Sequence, residues 1–466
     1  MASPTAPVVI IGGDAAGMSA ASKARREDPS LPVIVFEQGP DISYAACGMP
    51  YWFEGLVQSD EMLRALHLED ARRKRGIDVR IHHRVTAIHP EAHTVEVQDL
   101  ERDRTFIQPY SKLLIATGAS PVVPPIPGLD LPGVFTLRTL EDGRRIHRYL
   151  ESRRPRRGVI IGAGYIGLEM AEAFRSRGME TWVLELLPQI LPQMDPDLLA
   201  PVVDHLVEQG VHLHTSTRVT GVRQANGALQ VVALQEDGRS LTVAADMVLV
   251  STGIRPNSRL AAEAGLALTV ANAIQVDERM RTSAPDIYAA GDCVAYRHRV
   301  LDREVWIPLA PSANKSGRVA GENMAGGHAI FPGILGTAVV KVFDYSLAVT
   351  GLTEGQAQEH AERFAGGVAA STITAPSKPA YYPGAQPVHV KVVIERATGR
   401  ILGAQLVSRS DVSKRADIFA TAITAGMTVA EFGLLDLTYA PPFAPVYDPV
   451  LVAANVAARH VQPVPG

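Results

Sequence analysis

A chain of 466 residues is too long for one ordinary core and implies roughly three domains. Hydrophobic content of 46% with 20% charged residues fits a globular protein, and a formal net charge of −4 gives no whole-chain pull toward nucleic acid or anionic membrane. Two cysteines exclude a disulfide framework and a zinc pattern, the sequence holds no apolar run long enough for a membrane span, and "MASPTAPVVI" lacks a signal-peptide pattern, so a reducing, cytoplasmic setting is expected.

Residues 8–17, "VVIIGGDAAG", read as a buried parallel strand that breaks into glycines and enters a helix through "MSAASKARRE". A second apolar strand, "VIVFE", ends at Glu37, 20 residues after Gly17. Glycines let the backbone approach a pyrophosphate whose charge rests on the helix N-terminus, and the distal acid accepts hydrogen bonds from ribose hydroxyls. Asp14 stands where the middle glycine of the pattern belongs, and a carboxylate there faces phosphate unless it points away. On the helix, Lys23 and Arg26 share one face at i and i+3, which suits a polyphosphorylated ligand. Arg73 or Lys74 would hold an outer phosphate.

Next comes "DISYAACGMPYW", residues 41–52, with Cys47 alone among small residues. Either it packs as a small hydrophobe or it reacts. "KLLIATGAS" (112–120) then predicts a strand ending in a turn at Thr117 and Gly118.

Residues 159–168, "VIIGAGYIGL", repeat the cradle with the full set Gly162, Gly164 and Gly167, a helix through "LEMAEAFRSRG", and Glu185 at the end of "WVLE", 18 residues after Gly167. Two such units imply two dinucleotides and an electron relay between a diffusible nicotinamide and a tightly held flavin. The 2′-phosphate of NADPH would meet Glu185 without an adjacent cation in "ELLPQ", so NADH is favoured over NADPH. "MVLVSTGIRPN" (247–257) predicts a second strand with a Thr-Gly turn at Gly253. "DIYAAGDC" (286–293) predicts a strand leading to Asp292, placed to bind the ribityl hydroxyls of a flavin. Cys293, in that turn, reads as structural.

Together these segments resemble the pyridine nucleotide-disulfide oxidoreductase family along nearly the whole chain. The resemblance implies an α/β fold with two Rossmann-like units and a C-terminal α+β dimerisation domain: FAD-binding at 1–120 and 250–328, NAD(P)H-binding at 121–249, dimerisation at 329–466. It implies FAD contacts from Gly12, Gly13, Ala16, Gly17, Glu37, Thr117, Gly118 and Asp292. Nicotinamide contacts would come from Gly162, Gly164, Tyr165, Gly167, Glu185 and Gly253, with Tyr165 covering the flavin face until nicotinamide displaces it. The segments 343–357 and 390–408 resemble the dimer domain, the latter as two strands.

The Cys-x4-Cys pair and C-terminal His-Pro-Thr...Glu of the dithiol members are missing, so Cys47 must work with a sulfur or oxygen from elsewhere. "SYAACGMPYW" resembles the coenzyme A-disulfide reductase branch, and "AYYPGAQPVHV" (380–390) and "TYAPPFAPVYDP" (438–449) resemble its tyrosine-bearing segments. This implies reduction of a small-molecule disulfide, coenzyme A disulfide first, with coenzyme A as substrate or as a mixed disulfide on Cys47. Tyr382 and Tyr439, with Tyr381 competing for the first role, would reach the partner subunit's active site in a homodimer and protonate the leaving thiolate. Lys23, Arg26, Ser43 and Tyr44 would bind substrate; Ala46 departs from the asparagine of some relatives. The mechanism needs a depressed Cys47 pKa, which a helix N-terminus would supply. Ala15, where peroxidase and oxidase relatives carry histidine, disfavours an NADH oxidase or peroxidase working through a sulfenic acid. Persulfide or polysulfide reduction with the same cysteine, and a redox-sensing flavoprotein outside the enzymes, are the other readings.

Overall fold

The computed structural model describes residues 6–225 and 227–462. The first cradle's apolar run forms the strand Val8–Ile11, central in a five-stranded sheet ordered Ile287–Ala289, Lys112–Ile115, Val8–Ile11, Val33–Phe36, Asp78–Arg80. Every pairing in it is parallel, and all four residues of Val8–Ile11 are buried. A parallel strand covered on both faces needs apolar residues at every position, which explains the unbroken "VVII". The second cradle builds the same frame: Val211–His214, Glu180–Leu184, Arg157–Ile161, Met247–Val250, Val134–Phe135, again all parallel. The repeat runs deeper than the glycines. Each unit also carries a three-stranded antiparallel layer, His83–His89 with Thr94–Asp99 and Arg104–Pro109 in the first, Thr217–Ala225 with Ala228–Gln235 and Ser240–Ala245 in the second.

Both cradle helices begin earlier than the sequence pattern predicts, at Ala15 and at Tyr165, inside the glycine loops. The helix Ala310–Met324 then closes on the helix Ala15–Glu27. A Cβ on Gly317 would lie 2.3 Å from the Ala16 carbonyl oxygen, and one on Gly321 2.3 Å from that of Ala20. Two glycines one turn apart thus let the backbones touch, with only alanines opposite.

The units join through a short antiparallel pair, Ala119–Pro121 with Ile254–Pro256, just beyond the two Thr-Gly turns. Asn257 fastens it: its side-chain amide donates to the Thr117 carbonyl at 2.8 Å, and the Thr117 hydroxyl donates back to the Asn257 carbonyl at 2.6 Å.

The C-terminal region is a five-stranded antiparallel sheet ordered Ala338–Val342, Tyr345–Gly351, Ile401–Ser408, Pro387–Glu395, Val368–Pro376, with the helices Ser413–Ala425 and Pro449–Ala457 packed on it. The two strands expected within 390–408 are there. No helix among the described residues is long and apolar enough to cross a membrane.

A buried ion cluster fixes this sheet to the second unit. Lys391, in the middle of the strand Pro387–Glu395, donates to Asp197 at 2.7 Å and to Glu354 at 2.8 Å, with Asp195 at 3.5 Å. Asp195 in turn accepts from the backbone of Glu354 and Gly355 and from the Gln405 side chain. Lys391 and Asp195 are buried while Asp197 and Glu354 are half-exposed, so removing the cation would leave one buried carboxylate, Asp195, without its counter-charge. Lys391→Met is therefore expected to destabilise the docking of these parts by about 1–3 kcal/mol, read as a lowered first melting transition in calorimetry.

Candidate active site

The two glycine loops have the same geometry. Gly12 has φ +105° and Gly162 φ +107°, a backbone state open to glycine, and a Cβ on either would strike the end of a neighbouring strand, at Ala116 or Ser251. A Cβ on Gly17 would sit 1.9 Å from the Gly12 carbonyl oxygen, and one on Gly167 2.1 Å from that of Gly162. Each helix is thereby drawn onto its strand, and its first N–H groups are presented at the loop. Neither N-cap residue, Asp14 or Gly164, gives its helix a side-chain hydrogen bond, and nothing lies within 4 Å of a Cβ added to Gly164. Two uncapped helix N-termini facing open loops suit two pyrophosphates.

The distal acids also match. Glu37 accepts from the Gly13 and Gly39 N–H groups at 2.8 and 2.7 Å, and Glu185 from the Ala163 and Leu187 N–H groups at 2.6 and 2.7 Å. Their carboxylates therefore brace the glycine loops first, with lone pairs left for a ribose.

Asp14 makes no side-chain cap to its own helix and accepts from the Tyr44 N–H at 3.2 Å, while the Ser43 N–H donates to the Gly13 carbonyl at 2.9 Å. This stitches the cysteine segment directly onto the first glycine loop. Ser43 pays with a left-handed backbone, φ +44°. Below it, Asp41 takes a bidentate pair from Arg144 at 2.6 and 2.9 Å and a third contact from Arg64 at 2.9 Å.

Cys47 lies in the 3₁₀ turn Ala46–Gly48, which runs straight into the helix Met49–Glu54. The buried side of that helix, Met49, Trp52 and Phe53, packs among Leu140, Ile146 and Leu168 of the second unit, and Trp52 stacks on His147 at 4.4 Å. The Cys47 residue itself is exposed. Protein surrounds its other sides closely enough that burial pushes the thiol pKa up, the Glu169 carboxylate adds to this, Arg138 opposes it and Asp292 adds again. The expected depression is not found: the acids outnumber the cation, and a six-residue helix is a weak dipole.

Arg138 and Glu169 were not visible in the sequence pattern. Arg138 donates to Asp292 at 2.7 Å and to the Ala119 carbonyl at 3.1 Å, so Asp292 holds a cation at the head of the first cradle. Glu169 follows Tyr165 by one turn on the second cradle helix, and burial with the neighbouring Glu172 pushes its carboxyl up to about 7, against a hydrogen bond from Tyr51. Burial pushes the Tyr165 phenol up to about 12. Cys293 is fully buried, its thiol donating to the Ala290 and Ile115 carbonyls.

The other predicted residues are spread more widely. Lys23 is paired with Glu27 on its own helix and with Glu322 at 2.8 Å, and it lines a cavity of about 540 Å³ with Arg299, Lys315 and Arg318. Arg26 is exposed. Lys74 pairs with Asp70 at 2.9 Å and Arg73 is exposed; the cation that reaches the first cradle helix is Arg75, donating to Ser22 at 2.6 Å. Desolvation and then the Tyr439 phenol raise the pKa of the neighbouring exposed Tyr381, while Tyr382 lies under the Lys378 ammonium at 5.5 Å. All of these tyrosines are remote from Cys47 in the sequence; Tyr381 and Tyr439 are exposed, as are the apolar side chains of Leu434, Phe443, Val446 and Tyr447.

With these two cradles and the cysteine between them, the comparisons are decisive. Residues 6–317 match the family model for pyridine nucleotide-disulphide oxidoreductases, and residues 337–449 match that family's dimerisation domain. The chain belongs to this family. It is 39% identical over 449 residues to the CoA-dependent NAD(P)H sulfur oxidoreductase of Pyrococcus furiosus, covering 96% of this chain and 98% of that one. It is 28% identical over 444 residues to the coenzyme A disulfide reductase of Staphylococcus aureus, covering 94% and 96%. Among solved structures, the NAD-dependent persulfide reductase of A. fulgidus superposes with a TM-score of 0.92 at 40% identity, over 97% of this chain and 83% of that one.

Two outcomes follow from the geometry. Gly17→Ala is expected to separate the helix from its strand, lowering the melting temperature and stripping FAD on gel filtration, whereas Gly164→Ala keeps the melting temperature and raises the KM for NADH about tenfold. Burial raises Asp14 from 3.8 to about 6. Because the folded value lies above the unfolded one, folding takes up a proton in that interval; the cost is present above pH 6 and gone below pH 3.8. Asp14→Asn should thus stabilise the FAD-free chain by up to about 3 kcal/mol at neutral pH, with the gain in melting temperature fading as the pH falls.

Proposed function

We propose that this protein is an FAD-dependent NADH:disulfide reductase that works through the single thiol of Cys47, with coenzyme A disulfide as its substrate. The observation that carries the reading is the position of the Cys47 segment, stitched to the first glycine loop through Ser43 and Tyr44 and packed on the second unit through Met49, Trp52 and Phe53, with the other cysteine buried elsewhere. The first unit, 1–120 with 250–328, would hold FAD through Gly12, Gly13, Ala16, Gly17, Glu37, Thr117, Gly118 and Asp292. The second, 121–249, would hold NADH through Gly162, Gly164, Tyr165, Gly167 and Glu185, with Gly253 contributed by the Thr-Gly turn where the chain re-enters the first unit. Bound there, FAD supplies the two-electron connection between nicotinamide and sulfur.

The NADH preference rests on Glu185 and on a further pair of acids, Glu236 and Asp237. These line a shallow depression with Thr215 and Ser216, beside the backbone of Glu185 and Leu187. A 2′-phosphate would meet carboxylates from two directions.

The chain's own residues then divide the sulfur chemistry. The Cys47 thiolate attacks one sulfur of the disulfide, forming a mixed disulfide and expelling a thiolate. Two-electron reduction of that mixed disulfide breaks its S–S bond and restores the Cys47 thiolate, so the substrate provides the second sulfur. Arg138 is the cation that favours the thiolate. The basic cavity at Lys23, Lys315 and Arg318, with Ser43 and Tyr44 nearer the thiol, would receive the phosphate-bearing part of coenzyme A. Residues 329–466 would dimerise through exposed residues including Tyr439, Phe443 and Tyr447, which would bring Tyr439, with Tyr381 or Tyr382, to the partner subunit's active site as proton donor.

A second reading, reduction of a persulfide or polysulfide by the same cysteine, is supported by the sulfur and persulfide reductases among the relatives. Anaerobic NADH oxidation separates the two. With coenzyme A disulfide as sole acceptor, wild type should turn over and Cys47→Ser should lose at least about a thousandfold in kcat while its flavin is still reduced by NADH. Turnover with polysulfide but not with coenzyme A disulfide overturns the substrate assignment.

A further inference from the structure

We infer that Arg144 is a positioning residue for the Cys47 thiol, locking the neck of the loop that carries it onto the second unit. The inference rests on the reading of Cys47 as the reacting thiol.

The thiol sits on a closed loop. Tyr44 and Arg64 pair as an antiparallel bridge. On either side of that bridge the Ala45 N–H donates to the Leu63 carbonyl at 2.7 Å and the Ala65 N–H to the Ser43 carbonyl at 2.8 Å. The chain thus leaves the first glycine loop at Ser43 and returns by Ala65 through one narrow neck, with Cys47 on the outgoing limb. Ordering such a loop costs chain entropy that the bonds at its neck must offset.

Arg144 supplies the side-chain tie. Its guanidinium forks onto both oxygens of Asp41, at 2.6 and 2.9 Å, and its Nε donates to Asp60 at 2.8 Å. Asp41 precedes the outgoing limb and Asp60 lies on the returning one, so one side chain spans the neck. Asp41 is buried and is also paired with Arg64 at 2.9 Å, which pairs with Glu61 at 3.0 Å. The planar fork fixes direction as well as distance, which a point charge on a flexible stem would not.

Arg144 comes from the other unit. It stands on the helix Leu140–Arg153, whose neighbouring residues receive the next part of the loop. A Cβ on Gly143 would lie 2.7 Å from the Met49 sulfur and 3.4 Å from the Trp52 ring, and His147 stacks on Trp52. The helix is itself held at its start by the capping box of Thr139 and Asp142, and just before it Arg138 holds Asp292. Cys47 therefore lies between two fixed points on one helix: the neck tied at Asp41 and Asp60, and the platform under Met49. Attack on a disulfide needs the sulfur placed to fractions of an ångström, and a misplacement of about 1 Å costs up to about a hundredfold in rate. Releasing Arg144 lets the two limbs slide past each other and spreads the sulfur over such distances.

The test uses the FAD-loaded enzyme. Arg144→Gln should lower kcat with coenzyme A disulfide by roughly tenfold to a hundredfold, while flavin reduction by NADH in the absence of any disulfide stays within about twofold of wild type. Guanidinium ion at non-denaturing concentration should restore part of the lost rate in Arg144→Ala, and ammonium should not. Asp60→Ala, a milder cut of the same tie, should lose less, and combining it with Arg144→Gln should add little to the loss. Independently of turnover, a nitroxide attached to Cys47, with Cys293 buried, should tumble faster in Arg144→Gln than in wild type. Wild-type kcat in both single variants, a loss shared equally by flavin reduction, or unchanged nitroxide mobility overturns the positioning role while leaving Cys47 as the thiol. Turnover that survives labelling of Cys47 removes both.

Discussion

The absence of a single atom, the Cβ at Gly17 and again at Gly167, sets the rest of the molecule. It lets each cradle helix rest on the carbonyl of the first loop glycine, which aims uncapped N–H groups at the place where two loops open. The cysteine segment is then hung from one of these loops by backbone hydrogen bonds and pressed against the helix of the other by Met49, Trp52 and Phe53. Placing a thiol between two dinucleotide sites thus takes no long-range device. It follows from two tight turns and one short amphipathic helix that bridges them.

The surroundings of the thiol are more acidic than a simple thiolate enzyme would call for. Glu169 and Asp292 lie on its side of the cleft, and Arg138 alone counters them. A resting thiol kept protonated is less exposed to oxidants, since the thiolate is the reactive form.

What could be read in advance was what local geometry dictates. The glycine spacings, the apolar strands and the acids at their ends lie within thirty or so residues of each other, and the fold keeps them as the pattern required. The class and the two-fold repetition of the dinucleotide units were legible for that reason. Arg138 was not, because its role comes from meeting Asp292, 154 residues away. Glu169 looked like one more helix residue until Tyr51 and Cys47 were brought to its face. The charge of Lys23 was plain in the sequence, but its pairing with Glu322 was not, because that acid arrives from a distant helix. The closeness of the Ala15–Glu27 and Ala310–Met324 helices was also latent in Gly317 and Gly321, which carry no signal unless their partner is known.

The pairing of Ala119–Pro121 with Ile254–Pro256 bears on how such a chain arises. The polypeptide leaves the first unit and returns to it on neighbouring strands, about 5 Å apart. Everything between hangs from one doorway. A whole dinucleotide-binding unit can be accommodated there for the entropic cost of closing one small gap, because its own fold already brings its ends together. The repeat seen in the sequence is thus a guest seated inside its host, and duplication of one ancestral module needs no redesign of the sheet that receives the copy.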